Sequence, residues 1–373
     1  MPETSINIVA FDIPYPATYG GSIDIFYKLK TLKEKGVRIV LHCFQYNKTE
    51  QTELEKYCEK VIYYPRKRGL RFMFSPLPYI VVTRKNKKLL ENLQTNSYPI
   101  LFEGMHSCAF LNATELADQK KIVRTHNIEH DYYKGLQKSS TNIPKKIYYG
   151  IESRKLNRFE AALEHADRIL AISPNDYVYL SKLFPQVDFI PAFHPFNKLK
   201  SRSGKGDYFL YHGNLSVEEN DSAVHFLLEK VFKHIEQKLI VAGKNPGKSL
   251  IEKAKLLKNV TLEENPSEDR MTELLQNAQA CILPTFQGTG LKLKLLISLF
   301  SSRFVIANNT MAGNTGLKDL CEIANSAEEF VAAVNKISNR EFTSEEVEER
   351  NRKLTAFTND FNGDKLLKII QEL

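Results

Sequence analysis

Short apolar runs recur along this chain, each followed by a turn of small residues and then by apolar positions at helical spacing. Residues 6–11 (Ile-Asn-Ile-Val-Ala-Phe) read as a first strand and 12–21 as a loop. Ser22 reads as the N-cap of a helix over 23–35, which Gly36 stops. Residues 37–44 supply a second strand, and a strand–helix–strand unit predicts a parallel sheet. Strands follow over 99–103, from 122 and over 168–173, with helices over 152–165 and 177–183. After the Pro-broken segment 189–196, the polar stretch 197–206 is the best domain boundary. The rhythm then resumes. Strands are expected over 208–212, 238–242, 260–262, 280–283 and 303–307, and helices over 221–232, 269–278, 328–337 and 345–354. The last segment, 364–373, has an apolar face of Leu366, Leu367, Ile369, Ile370 and Leu373 and is too short to be stable alone. The fold class is therefore α/β, with two Rossmann-like βαβ domains at 1–200 and 201–360. Residues 361–373 form a crossover helix packing on the first domain.

One stretch carries more than this rhythm. Strand 280–283 ends at Pro284, and Gln287-Gly-Thr-Gly290 then gives a loop without bulky side chains. Apolar residues at 291, 293, 295, 296, 299 and 300 predict a helix next. Such a helix start offers unpaired N–H groups and partial positive charge, and small residues let a phosphate approach the backbone. Lys292 falls in the first turn, where its charge opposes the helix dipole. Either it meets a bound anion, or it is a solvated lysine on an ordinary βα unit.

Composition narrows the class. The chain has 373 residues, 42% hydrophobic and 26% charged, as expected of a globular protein with two cores. No run of 18 apolar residues occurs, and no basic region precedes the first apolar segment, which reads as a strand and not as a signal peptide. The five cysteines are widely spaced without a CxxC, so they read as reduced thiols in a cytoplasmic protein, and no zinc site is indicated. Charge is uneven. Residues 1–200 hold 30 Lys and Arg against 20 Asp and Glu, a balance of +10, within a chain of net charge +8. An anionic partner for the first half follows.

Residues 65–88 alternate basic clusters with apolar patches and hold eight cations from Arg66 to Lys88. One reading is snorkelling lysines over a core face. The other is an anionic membrane surface, with Phe72, Met73 and Phe74 dipping in and the chain peripheral on the inner face of the membrane. No nucleic-acid-binding module is recognisable, so no nucleic acid partner is expected. His126 and His130 stand at i, i+4, but without an HExxH pattern or a third ligand no metal is expected. A strand-end His126 pointing into a cleft is the stronger reading.

Four places resemble the group-1 retaining glycosyltransferases, whose two Rossmann-like domains face each other across a cleft in the GT-B architecture. They are Pro16-Ala-Thr-Tyr-Gly-Gly21, Arg124-Thr-His-Asn-Ile-Glu129, the segment 160–176 ending Ala-Ile-Ser-Pro-Asn-Asp176, and Gly288-Thr-Gly-Leu-Lys-Leu-Lys-Leu-Leu296. The resemblance implies a retaining glycosyltransferase of hexosyltransferase type. It would use a nucleotide-sugar donor, no cofactor, and a glycan or lipid-linked acceptor in cell-envelope polysaccharide or glycoconjugate synthesis. In such enzymes no protein nucleophile is needed; the protein stabilises charge on the leaving diphosphate and positions the acceptor. By resemblance, the catalytic residues are His126, Gln287 and Lys292. The donor site comprises Gly20, Gly21, Gly213, Asn214, Lys244, Gly288, Thr289, Gly290 and Lys292.

Two departures from the family pattern stand out. The paired glutamates that hold the donor sugar and ribose fall, by register, on Gln287 and Leu295. The Arg and Lys usual after the first strand of the second domain are absent from Gly213-Asn214-Leu-Ser-Val-Glu-Glu-Asn220. These departures favour an alternative, a non-catalytic glycosyltransferase-like glycan-binding or partner subunit. A sugar-phosphate epimerase of similar architecture would need acidic and histidine catalytic residues, for which only His126 and Glu129 are clearly available.

Overall fold

The computed structural model describes residues 4–286, 292–313 and 315–373. They form two compact units, one of residues 4–194 with 359–373 and one of 195–286 with 292–358.

In the first unit, seven parallel strands lie in the order β3-β2-β1-β4-β5-β6-β7. They are β1 (Ser5–Ala10), β2 (Arg38–Gln45), β3 (Lys60–Pro65), β4 (Ile100–Glu103), β5 (Lys121–Arg124), β6 (Arg168–Ala171) and β7 (Val187–Phe189). All six residues of β1 are buried, because helices cover both faces of a parallel sheet. Ile8 pairs with Leu41 on one side and Leu101 on the other. Helix Gly20–Glu34 packs Ile25, Leu29 and Leu32 on one face; Val9, Phe44, Phe102 and Val123 belong to the cluster on the other. Strand β3, for which sequence reading had no element, ends at Pro65 where the basic stretch begins, and two helices, Glu129–Ser139 and Ile143–Phe159, occupy much of the span before residue 160.

The terminal helix joins this unit. It runs Asn359–Gln371, starting five residues before the expected 364, and places Leu366, Ile369 and Ile370 in the β1 core. Gly363 serves close packing: a Cβ there would lie 2.5 Å from Thr31 Cγ2. Asn359 Nδ2 donates to His194 O at 2.7 Å, and His194 N donates to Asn359 Oδ1 at 3.0 Å.

In the second unit, six parallel strands lie in the order β10-β9-β8-β11-β12-β13. They are β8 (Phe209–Asn214), β9 (Leu239–Lys244), β10 (Val260–Glu264), β11 (Ala280–Leu283), β12 (Phe304–Ala307) and β13 (Glu322–Ile323). Both sheets share the doubly wound order, in which ligands sit beyond the carboxyl ends of the central strands. The polar stretch expected as linker is tied down within this unit. Lys200 N donates to Phe300 O at 2.7 Å, Ser201 Oγ to Ser302 O at 2.7 Å, and Gly204 pairs with Phe342.

Candidate functional site

In the first unit, the carboxyl ends of β1, β4 and β5 bring together charges distant in sequence. Arg124 donates from Nε and Nη2 to Asp24 at 2.8 and 2.9 Å, and to the carbonyls of Ile190 and Pro191. Lys28 Nζ lies 3.1 Å from Asp24 and 2.5 Å from Glu103. His126 Nε2 lies 2.9 Å from Glu103 Oε2. Asp24, Lys28, Glu103 and Arg124 are completely buried. Burial alone would raise both carboxyl pKa values. Arg124 and Lys28 outweigh it at Asp24, and Lys28 and His126 at Glu103, so both are held below their usual values. Burial lowers the Lys28 pKa against the pull of the two carboxylates.

This lattice orients His126. An ionised carboxylate only accepts, so Nε2 carries the proton and Nδ1 is left for another group. His126 is 5% exposed, less open than a cleft residue, and its Nδ1 has no hydrogen-bond partner among the described residues. His130 is not its helical neighbour. It lies in the Glu129–Ser139 helix, which begins after His126, and faces Glu160 at 3.2 Å, which raises its pKa. Asp24, Glu103 and His126 bring ligand atoms within 4.8 Å of one another. Lys28 and Arg124 already engage both carboxylates, so a metal ion would have to displace fixed positive charge.

Phe11 forms the other wall of this region. Its ring centroid lies 5.0 Å from His106 and 5.3 Å from His126. Gly20 and Gly21 open the helix that follows. A Cβ on Gly21 would stand 2.7 Å from Phe11 Cζ, so this ring approach requires glycine. Ser22 is not the N-cap. Tyr19 takes that position, and Ser22 Oγ accepts from the Thr18 and Tyr19 amides at 3.0 and 3.1 Å. Glu129 is buried 3.8 Å from His106 Nδ1, and burial pushes its pKa up to about 7. Burial likewise lowers Arg84 to about 9, while its Nε donates to Phe11 O at 2.8 Å. His106 is held neutral by burial. Sequence reading missed Asp24, Lys28, Arg84, Glu103 and His106: Glu103 looks like an ordinary strand end, Arg84 like one more cation of the basic stretch, and the others like solvated residues of a helix or turn.

In the second unit, β8 runs past the expected 208–212 and ends with Gly213 and Asn214, and β9 ends at Lys244 beside it, with Asn214 and Lys244 in register. Asn214 Oδ1 accepts from Ser216 N and Oγ, and Asn220 Nδ2 donates to Asn214 O at 2.8 Å. A cation reaches the end of β8 from another element. Lys294, in the first turn of helix Leu293–Ser301, places Nζ 3.0 Å from Tyr211 Oη and 2.5 Å from Asn220 Oδ1. A Cβ on Gly213 would be 3.2 Å from that same Nζ. Burial lowers the Lys294 pKa to about 8. Sequence reading did not include Lys294 among the donor-site residues.

Lys292 is the N-cap and not a first-turn residue, and it meets a carboxylate the sequence did not suggest: Nζ lies 4.0 Å from Glu219 Oε1. Burial lowers its pKa against Glu219. Leu295 is completely buried. Gln287, Gly288, Thr289 and Gly290 lie outside the described residues.

No protein-family model matches the chain. A Klebsiella pneumoniae protein described as an uncharacterized 44.6 kDa protein in the cps region is 28% identical over 349 residues, 89% of this chain and 88% of that protein. A glycosyltransferase from Rickettsia africae superposes with a TM-score of 0.64 at 15% identity, over 100% of this chain and 99% of that one. WaaG, a glycosyltransferase involved in lipopolysaccharide biosynthesis, gives 0.64 at 12% identity, over 98% and 99%. The chain has the GT-B fold of these enzymes.

Proposed function

We propose that this chain is a retaining glycosyltransferase that moves a sugar from a nucleotide-sugar donor to a glycan or lipid-linked acceptor of a cell-envelope polysaccharide. The observation that carries this reading is Lys294 at Gly213, the end of β8, on a helix whose N-cap is Lys292. Two lysines at a helix start beyond the carboxyl end of a central strand would supply the positive charge that a leaving diphosphate needs. The fold of its structural neighbours supports the enzyme class, and the relative from a cps region supports the polysaccharide context.

The second unit would hold the nucleoside diphosphate through Gly213, Asn214, Lys244, Gly288, Thr289, Gly290, Lys292 and Lys294. In the first unit, Gly20 and Gly21 would serve the diphosphate, and His126, oriented by Glu103, would offer Nδ1 to a sugar hydroxyl; Gln287 would assist. No metal or cofactor enters this scheme. A lipid-linked acceptor would place the protein on the inner face of the membrane, with residues 65–88 toward anionic lipid.

The test is a thermal-shift screen of nucleoside diphosphates and nucleotide sugars. A ligand at 100 times its dissociation constant adds about 2.7 kcal/mol to stability. Binding with slow hydrolysis of one nucleotide sugar is expected. Binding without turnover, with or without acceptor, would leave the non-catalytic partner that Gln287 and Leu295 favour.

A further inference from the structure

Helix Ile143–Phe159 leaves an apolar stripe uncovered. On one flank it packs on helix Glu129–Ser139: Tyr149 meets Tyr133 at 6.0 Å, Ser153 Oγ donates to His130 O, and a Cβ on Gly150 would touch Gln137. On the other flank it holds the segment 73–79. Lys155 Nζ donates to Met73 O at 2.7 Å, Glu152 accepts from Tyr79 N, and Tyr148 meets Tyr79. Between these flanks, at i, i+4 and i+8, stand Ile143, Ile147 and Ile151, which are 70%, 59% and 44% exposed. Leu70 and Phe74, 76% and 88% exposed, belong to or border the segment held on the second flank.

Charge says what covers this stripe. Residues 134–158 contain seven Lys and Arg and one acid, Glu152, which is buried and already bonded to Tyr79 N and Lys155. Lys145, Lys146, Arg154 and Arg158 are exposed on the same helix, and Arg66, Lys67, Arg68 and Arg71 precede or enter the short helix Leu70–Phe74. An apolar strip ringed by cations, with half-buried tyrosines beside it, matches the boundary between acyl chains and anionic headgroups. A second copy of this chain would bring the same cations against one another.

We propose that the Ile143–Ile147–Ile151 stripe, with Leu70 and Phe74, inserts into an anionic membrane surface, and that the helix, more than the basic stretch alone, supplies the insertion. This deepens the reading of a lipid-linked acceptor, but its test needs no catalysis. The full chain is floated with phosphatidylcholine vesicles and with equimolar phosphatidylcholine–phosphatidylglycerol vesicles. The wild type should bind only the anionic vesicles. Ile143→Asp and Ile147→Asp should each weaken that binding about tenfold, and Lys145→Glu with Lys146→Glu at least about tenfold. Leu256→Asp, at an isolated leucine of the second unit that is 81% exposed, should change nothing. Far-ultraviolet spectra and nucleoside diphosphate thermal shifts, unchanged in every variant, separate this result from misfolding and from failure of the enzymatic reading. Equal binding to both vesicles, or wild-type flotation of Ile147→Asp, would overturn the proposal. So would a dimer in sedimentation equilibrium that Ile147→Asp dissociates while flotation persists, since the stripe would then cover a second copy.

Discussion

Replacing Lys294 with alanine should weaken nucleoside diphosphate binding more than replacing Lys292. The Lys294 ammonium sits between Tyr211 and Asn220 with no carboxylate bonded to it among the described residues, and its pKa falls from 10.5 to about 8. At about 1.36 kcal/mol per unit, holding it charged at pH 7 costs the unliganded protein about 3 kcal/mol. A diphosphate beside it would offset that cost, and one hydrogen bond to a charged group contributes about 1.5–3 kcal/mol. Lys294→Ala should thus lower affinity about 10- to 150-fold, leaving free nucleoside binding unchanged. Lys292, 4.0 Å from Glu219, already spends part of its charge, so Lys292→Ala should lower affinity about tenfold or less. Titration calorimetry across pH adds a second readout. The free protein loses the Lys294 proton near pH 8 and the bound anion retains it, so wild-type affinity should hold below pH 8 and fall above it. Lys294→Ala should lack that fall, and Lys294→Met should raise the melting temperature at pH 7 by removing the buried charge. If Lys294→Ala binds diphosphate like the wild type while Lys292→Ala loses 10- to 150-fold, the cation that matters is Lys292 and this reasoning fails.

Three further outcomes are expected. The folded chain keeps the Glu129 proton up to about pH 7 and the unfolded chain releases it near 4.5, so stability should fall as pH rises through that window, by at most about 3 kcal/mol. Glu129→Gln should flatten that dependence in denaturant titrations at pH 5 and pH 8, and an unaltered slope would discount the shift. Asp24→Asn leaves Arg124 and Lys28 buried with one carboxylate between them, and should destabilise by about 3–5 kcal/mol in urea unfolding; a loss near zero would mean water reaches the cluster. Leu366→Ala should cost about 2–5 kcal/mol, and Gly363→Ala should also destabilise despite its better helix propensity, because its Cβ meets Thr31; a more stable Gly363→Ala would show that the two helices can separate cheaply.

The apolar period determined the architecture. Strand β1 reads as an almost continuous apolar run because helices cover both its faces, and Leu366, Ile369 and Ile370 mark a helix that must dock. Gly213, Asn214 and the start of helix Leu293–Ser301 were legible as a strand end and a helix start because turn chemistry is local. Period says which face is buried and nothing about what meets it. Lys28 and Asp24 look like an exposed helical pair, and only residues 75 and 100 positions away, Glu103 and Arg124, turn them into a sealed lattice behind His126. Lys294 looks like the solvated side of its helix until Tyr211 and Asn220 enclose it. Ile143, Ile147 and Ile151 have the spacing of a core face, yet their neighbours are used up on the two flanks. Desolvation depends on every group packed around a charge, so these pKa shifts and this uncovered stripe exist only once the chain has closed on itself.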